Sequence, residues 1–401
     1  MKHLIAKFVC LIIILSLLLS SVYAFDTVTQ SSPDITEAER AYLEKLGEIQ
    51  RYAAEAHDIL YNSFLIAGSD IEHYPDNFGG DYIDGDTLHI LVVDLPTQNI
   101  TYYNDLLHNY LDYIVFENAE HSLQSLYDSA NKIANSLIDN GVSVTSYGAD
   151  TKKNCVSIGI DENDSFNVKF GDSLQSNNLT EKAIPISFHS EPNVSVAATL
   201  IDGSALDGYT LGVCGTYQGS NAIGLCGHGL SVGTSIKNAS GTAIIGSVNV
   251  RQYNSNENGD YAIAKITNAN YTTAGLVGDP NSSAGQWYVT GASNRPAVGT
   301  SIIKYGKNGG FAYGTVEDAN CTWSVGDKNG NPSGVYITGL VKVRLSQGKV
   351  LGGDSGGPNF SSYGVIFGTT SSQSTNPDNG YYYFSPYLYL NNKGFVIKTY
   401  E

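Results

Sequence analysis

Hydrophobic and polar residues follow two different periods along this chain, and the change comes near residue 190. In the first part, Tyr42, Leu46, Ile49, Ala53, Ala56 and Leu60 recur every three or four positions, the spacing of an amphipathic helix. Thr36 and Glu39 have the spacing of a capping box at its start. A second helical stripe runs through Leu123, Leu126, Ala130, Ile133 and Leu137, and Gly141 follows as an end cap. LHILVVD (residues 88–94) predicts a strand, and VSVTSY (142–147) with CVSIGI (155–160) predicts a closing hairpin. This half reads as α+β. The second part has no helical stripe. IIGSVNV, YAIAKI, QWYVTGA, TSIIKYG, GVYITGLVKVRL, YGVIFGTT and YYYFSPYLYL are separated by glycine-rich turns. Short β-branched or aromatic runs at this spacing predict an all-β barrel or sandwich.

Charge and glycine content divide at the same place. Residues 25–190 carry 27 acidic and 8 basic side chains, a net charge of -19, whereas residues 191–401 carry 12 of each. Only 9 of the 43 glycines precede residue 191. Residues 161–194 are rich in Asn, Ser, Asp and Glu and contain Pro185 and Pro192, the composition of an exposed linker and a natural place for proteolytic cutting. The overall net charge of -17 excludes nucleic acid as a partner, which needs basic patches.

The chain opens with Lys2 and Lys7, an apolar run over residues 8–19 and Val22-Tyr23-Ala24. This is the pattern of a secretory signal, residues 1–24, cut after Ala24. The apolar run is short for a membrane-spanning helix, so the expectation is an exported, extracellular protein with no membrane association once the signal is removed. Cys155, Cys214, Cys226 and Cys321 then remain. A disulfide is possible outside the cell, and Cys214 with Cys226 is the best pair by spacing. Cys155 and Cys321 are expected to be free or buried.

The chemistry concentrates in LGGDSGGPNF, residues 351–360. Four glycines around Asp354 and Ser355 imply that something must approach the main chain closely. A serine hydroxyl becomes a nucleophile only when a base, usually a carboxylate-oriented histidine, takes its proton. Beyond residue 190 the chain has one histidine, His228 in IGLCGHGL. The carboxylate candidates between the two are Glu257, Asp260, Asp279, Glu317, Asp318 and Asp327. Asp260 opens the alternating run GDYAIAKI, where a strand would bury and fix it, and is the choice made here. The histidines of the first half, His57, His73, His89, His108 and His121, are scattered without metal-ligand spacing.

The order His228, Asp260, Ser355, with GDSGGP around the serine, resembles the chymotrypsin-like serine proteases. GDYAIAKI and IIKYGKNGGFAYGTV look most like the secreted bacterial branch of streptogrisins and α-lytic protease. The resemblance implies an all-β catalytic domain of two six-stranded β-barrels over residues 191–401, preceded by an α+β prosegment over 25–190 that aids folding or inhibits. It implies a secreted serine endopeptidase, made as a zymogen, monomeric, acting on polypeptides with no metal or cofactor. Ser355 would attack, His228 move the proton, Asp260 orient His228, and the N–H groups of Gly353 and Ser355 bind the oxyanion. Asp354 would pair with a basic side chain, for which Lys304 is the candidate by local similarity. GVIFGTT would supply the pocket wall, with Gly368 and Thr369 holding the substrate backbone as an added strand. This places Phe367 where the family often has a serine supporting the aspartate. Gly229 stands where the family has a cysteine after the histidine; Cys226 paired with Cys214 would replace that bridge. Lys349 lies near the expected base of the pocket, where a solvated loop lysine is the plainer reading.

Two rival classes were weighed. A catalytically inactive protease-fold protein could display its 28 tyrosines to a cell-surface glycan or protein, but it would have no physical need for a complete triad. An α/β-hydrolase esterase would need a GxSxG elbow and the order Ser, Asp, His; the serine motif here is GDSGG and the histidine comes first.

Overall fold

The computed structural model describes residues 37–66, 72–95, 100–161, 184–191, 194–196, 209–237, 241–277, 287–326, 332–374 and 380–400. The signal-like segment, Thr36, most of the linker, Asp279 and Asp327 lie outside these residues.

The first half is built as its periodicity predicts, with one shift. Helix α1 (Glu37–Ser63) buries Gln50, Ala53, Ala56, His57, Leu60 and Tyr61, while Tyr42 and Ile49 of the expected apolar stripe are exposed. Its last turns pack on apolar neighbours. Gln50 instead faces the second half, where its side chain donates to Gly299 O (3.2 Å) and accepts from Ser301 N (3.1 Å). Strands β1 (Phe78–Asp84) and β2 (Thr87–Val93) form an antiparallel hairpin. After the short α2 (Thr101–Leu106), β3 (Ile114–Ala119) joins β2 in parallel. Helix α3 (Leu123–Asp139) buries all five predicted stripe residues, and the Ser122 side chain caps its start by accepting from Ser125 N. Gly141 follows it at φ +81°, a conformation that favours glycine. The predicted hairpin is β4 (Val144–Asp150) with β5 (Cys155–Asp161). Strands β6 (Ile186–Glu191) and β7 (Val194–Val196) follow, β6 in parallel with β5.

The second half is a pair of six-stranded antiparallel sheets. The first is ordered β10-β11-β13-β9-β8-β23. Its strands are β8 (Val213–Tyr217), β9 (Ser220–Leu225), β10 (Ser235–Lys237), β11 (Ile244–Gln252), β13 (Tyr261–Ile266) and, from the chain's end, β23 (Phe395–Ile397), with the two-residue β12 (Glu257–Asn258) just before β13. QWYVTGA yields two short pieces instead of one strand: β15 (Trp287–Tyr288), paired with β14 (Leu276–Val277), and β16 (Gly291–Ala292). The second sheet comprises β17 (Ser301–Gly306), β18 (Gly310–Gly326), β19 (Pro332–Gln347), β20 (Pro358–Phe360), β21 (Val365–Ser374) and β22 (Tyr381–Pro386). Here β17 pairs with β18, β18 with β19, β19 with β22, β22 with β21, β21 with β20 and β20 again with β17, all antiparallel. The ring is closed, and its longer strands run past it. This is the double six-stranded β-barrel of the chymotrypsin-like fold.

Two features depart from simple alternation. YYYFSPYLYL is a strand only as far as Pro386; helix α4 (Tyr387–Asn392) then begins and buries Tyr387, Leu388, Tyr389 and Leu390. Proline lacks the N–H a central strand needs but suits a helix start. Strand β18 also runs past the barrel and takes on β4, with Thr322 opposite Tyr147 and Trp323 opposite Ser146. One sheet therefore spans both halves.

Candidate active site

His228 lies just beyond β9, in a turn whose form is dictated by Gly227. A Cβ there would sit 2.2 Å from Gln252 O and 2.7 Å from Tyr261 O, so only glycine fits. This brings the main chain against Asp260 at the start of β13. Asp260 Oδ1 accepts from Gly227 N (2.6 Å) and His228 N (2.8 Å), and Oδ2 meets His228 Nδ1 at 2.5 Å. Ser371 Oγ donates to the same Oδ2 at 2.5 Å, and Asp260 N donates to Ser385 Oγ at 3.2 Å. The carboxylate is fully buried. Burial opposes its charge, but His228 and these hydrogen bonds outweigh burial and hold it below the usual carboxylate range. Burial likewise opposes the imidazolium, yet Asp260, followed by Cys226, raises His228 well above its ordinary value.

Ser355 lies in the turn between β19 and β20, closed onto the first barrel. Thr210 N donates to Ser355 O (3.0 Å) and Thr210 Oγ1 to Gly353 O (2.8 Å). Gly356 N donates to Thr370 O at 2.8 Å. A Cβ on Gly356 would lie 3.5 Å from Cys226 N, which puts the serine turn against the segment leading into His228. Gly353 has φ +95° and Gly356 φ +87°, the left-handed region that favours glycine. Ser355 Oγ and His228 Nε2 are both buried, and among the described residues neither has a hydrogen-bond partner.

Asp354 points away from the nucleophile into a closed cage. Its Oδ1 accepts from Asn308 N and Gly309 N, both at 2.9 Å. Its Oδ2 accepts from Leu351 N (2.9 Å) and from Lys304 Nζ (2.5 Å). Lys304 and Asp354 are both fully buried. Burial holds the Lys304 ammonium below its ordinary value, with Asp354 opposing. Lys349 is exposed; its carbonyl accepts from Lys304 Nζ at 3.3 Å.

Three expectations are corrected. Gly368 and Thr369 cannot receive a substrate strand. Gly368 is paired with Asn359 on one side and Pro386 on the other, and Thr369 with Pro358 and Ser385. Strand β20 covers that edge of β21 as far as Thr369, and the serine turn continues it on Thr370, whose N–H donates to Gly357 O at 2.8 Å. Phe367 does not stand at the aspartate; it is buried in the apolar core of the second barrel, and Ser371, four residues later, holds that position. Cys214 and Cys226 are not joined, and none of the described cysteines is in a disulfide. The register pairs Val213 with Gly224, so residue 226 falls opposite residue 211. That is three positions from Cys214, about 10 Å along a strand and beyond disulfide reach.

The edge of β21 just past Ser371 is taken by the chain itself. Strand β7 lies antiparallel on it, Val196 opposite Ser372 and Val194 opposite Ser374. Sequence reasoning had no signal for this pairing. Ser371 itself was findable: TTSS after VIFG holds two serines at the end of the run.

Comparison with protein-family models gives no match, and no curated protein matches in sequence. Among solved structures, Thermobifida fusca Protease A is 25% identical, with 48% of this chain and 91% of that one covered at a TM-score of 0.40. Nocardiopsis Protease is 24% identical over 49% and 95%, TM-score 0.40. An alpha-lytic protease homolog, N4, is 24% identical over 47% and 91%, TM-score 0.37. In its two barrels, the chain order of His228, Asp260 and Ser355 and its GDSGGP turn, this chain resembles the bacterial chymotrypsin-like serine proteases.

Proposed function

We propose that this chain is a secreted serine endopeptidase made as a zymogen. The observation that carries the reading is the buried Asp260 carboxylate, which grips both the backbone and the ring of the domain's single histidine, with the GDSGGP serine turn packed beside it. In this reading Ser355 Oγ attacks a peptide carbonyl carbon as His228 Nε2 takes its proton. The carbonyl oxygen becomes an oxyanion held by the N–H groups of Gly353 and Ser355. His228 then gives the proton to the leaving amine, the C–N bond breaks, and water hydrolyses the acyl-enzyme by the same route. Asp260 fixes the tautomer and stabilises the imidazolium. The charge-satisfied Asp354 cage keeps the oxyanion turn in shape.

The zymogen part rests on β7. Substrates of such enzymes bind as an added strand, and the edge of β21 next to Ser371 already carries residues 194–196 of the chain. Residues 25–190 act as the prosegment, and a cut in the segment around residue 190 would let that edge be vacated. Export by the N-terminal signal belongs to the same proposal; among the described residues no helix is long and apolar enough to cross a membrane.

A second reading, an inactive protein on a protease fold, is favoured by one observation: Ser355 Oγ and His228 Nε2 do not engage one another. Intact mass after treatment with a fluorophosphonate decides between them. One adduct on the cut form, absent from Ser355→Ala, supports the protease. No adduct on a form that has lost residues 25–190 sinks it and leaves the binding protein.

A further inference from the structure

Where the two halves meet, each depends on a charge of the other. Arg295, between β16 and β17, is 2% exposed. Its guanidinium donates to the carbonyls of Ala319 and Gly339 and, at 3.1 Å, to Tyr389 Oη. All three acceptors belong to the second half and all are neutral. The carboxylate comes from the first half: Arg295 Nε donates to Glu72 Oε1 at 2.8 Å and to Tyr61 Oη at 3.0 Å. The Glu72 side chain is only 7% exposed. It also accepts from the hydroxyls of Tyr61 and Tyr74 and, at 2.9 Å, from Asn320 Nδ2. Asp318 of the second half also acts on Arg295, but burial pushes its carboxyl up to about 7, so at neutral pH it is an incomplete substitute.

The surrounding contact is polar and well matched. Asp58 Oδ1 accepts from Ser293 Oγ (2.5 Å), Asn62 Oδ1 from Asn294 Nδ2 (2.8 Å), and Val298 O from Ile83 N (2.8 Å). His57 Nε2 donates to Arg295 O at 3.0 Å while its Nδ1 meets Asp81 at 2.5 Å. Departure of the first half would take from Arg295 its carboxylate partner and the Tyr61 hydroxyl and leave it three neutral acceptors, and removing one partner of such a pair is costly. It would also strip β4 from β18.

We propose that Glu72 is a lasting counterion for Arg295, so that a cut in the linker does not release the first half, which stays bound as a non-covalent subunit of the protease half. The inference builds on the proposed maturation cut, but its test does not need the chain's own activity. In a Ser355→Ala chain, a recognition sequence for an unrelated site-specific protease is placed between residues 170 and 180 and cleaved after purification. The expected result is that both fragments co-elute at pH 7 from micromolar down to nanomolar concentration. Glu72→Gln should weaken the association roughly 100-fold or more. Separation of the unsubstituted fragments at micromolar concentration overturns the proposal, as does an unchanged affinity in Glu72→Gln. If the uncut Glu72→Gln chain fails to fold, Glu72→Gln with Arg295→Met decides. Recovered folding in the double variant supports a charge pair; failure alike in both counts against it. Loss of the protease reading would show as absent fluorophosphonate labelling of the chain that keeps Ser355 and would leave this association measurement standing.

Discussion

Replacing Lys304 with methionine keeps the length of the side chain and removes its charge. The Asp354 carboxylate then keeps three backbone N–H donors, from Asn308, Gly309 and Leu351, each at 2.9 Å. It loses the ammonium at 2.5 Å in a fully buried setting. Removing one partner of such a pair costs about 3–5 kcal/mol, which should appear as a lower denaturant midpoint of the full chain. The rate should fall as well. Asp354 ties the 351–354 stretch to the loop after β17, and that stretch presents the Gly353 N–H. Loss of one oxyanion donor slows chemistry by about 10²–10³-fold, and the rate constant of fluorophosphonate inactivation measures that loss without a known substrate. Adding Asp354→Asn to Lys304→Met removes the stranded charge, so the double variant should recover at least about 1 kcal/mol relative to additivity. A Lys304→Met chain that is labelled at the wild-type rate with an unchanged midpoint would refute the reasoning, and so would strictly additive losses.

Further outcomes follow from the same geometry. Ser371→Ala removes a donor from the buried Asp260 carboxylate and should cost about 1.5–3 kcal/mol of stability, read from denaturant midpoints; a loss under about 0.5 kcal/mol would show that the hydroxyl supports nothing. Labelling of Ser355 requires neutral His228, so its rate should rise with pH through a His228 pKa displaced above the ordinary value. Asp260→Asn should cut that rate by about 10⁴-fold and move the rise to lower pH, because the largest influence opposing burial is then gone and Cys226 alone opposes it. At the contact between halves, burial opposes His57, but Asp81 and Asp58 raise it to about 9. A raised pKa stabilises the folded form fully below the unfolded value near 6.5 and ceases to do so as pH passes 9. About 3 kcal/mol should thus be lost between pH 6.5 and 10, a decline that a His57→Gln chain should not share.

The proposed triad was legible because its chemistry leaves few choices. A serine between glycine pairs needs a base, and the second half has only His228 to offer. Asp260 was found because a strand start is one of the few places where a carboxylate can be both buried and fixed. The edge of β21 open to an added strand was expected four residues too early, for a physical reason. GVIFGTT and IFGTTSS are equally good strands, and the side-chain alternation of β21 does not say where β20 stops covering it. That depends on the three-residue length of β20, which Gly357 and Pro358 set on one side and the 361–364 turn on the other. The disulfide failed on register, since a spacing of twelve between Cys214 and Cys226 permits a bridge only if the hairpin turn is centred between them. The turn lies at Gln218–Gly219, one to two residues early.

The first half shows the other limit. Its helices and hairpin were visible from periodicity, yet its role depends on pairs that no period encodes. Gln50, His57 and Asp58 fall on the α1 face that the apolar stripe leaves out or only grazes, and the helix turns that face to the second half. Glu72 is one of 27 acidic residues in its half, indistinguishable in sequence from a solvated charge. Only the fold, by placing a buried arginine with neutral acceptors opposite it, gives this carboxylate a necessity. The same arginine reaches the chemistry. Its Nη2 holds the Tyr389 hydroxyl, and the Tyr389 ring leaves no space for a Cβ on Gly259, which would come within 2.5 Å of it. Gly259 precedes Asp260 at φ +80°, so the backbone that delivers the Asp260 carboxylate is shaped against a side chain anchored on Arg295. A charge from the acidic half thus bears, through three contacts, on the backbone that presents Asp260. This is why the two halves, so unlike in composition, are one structure.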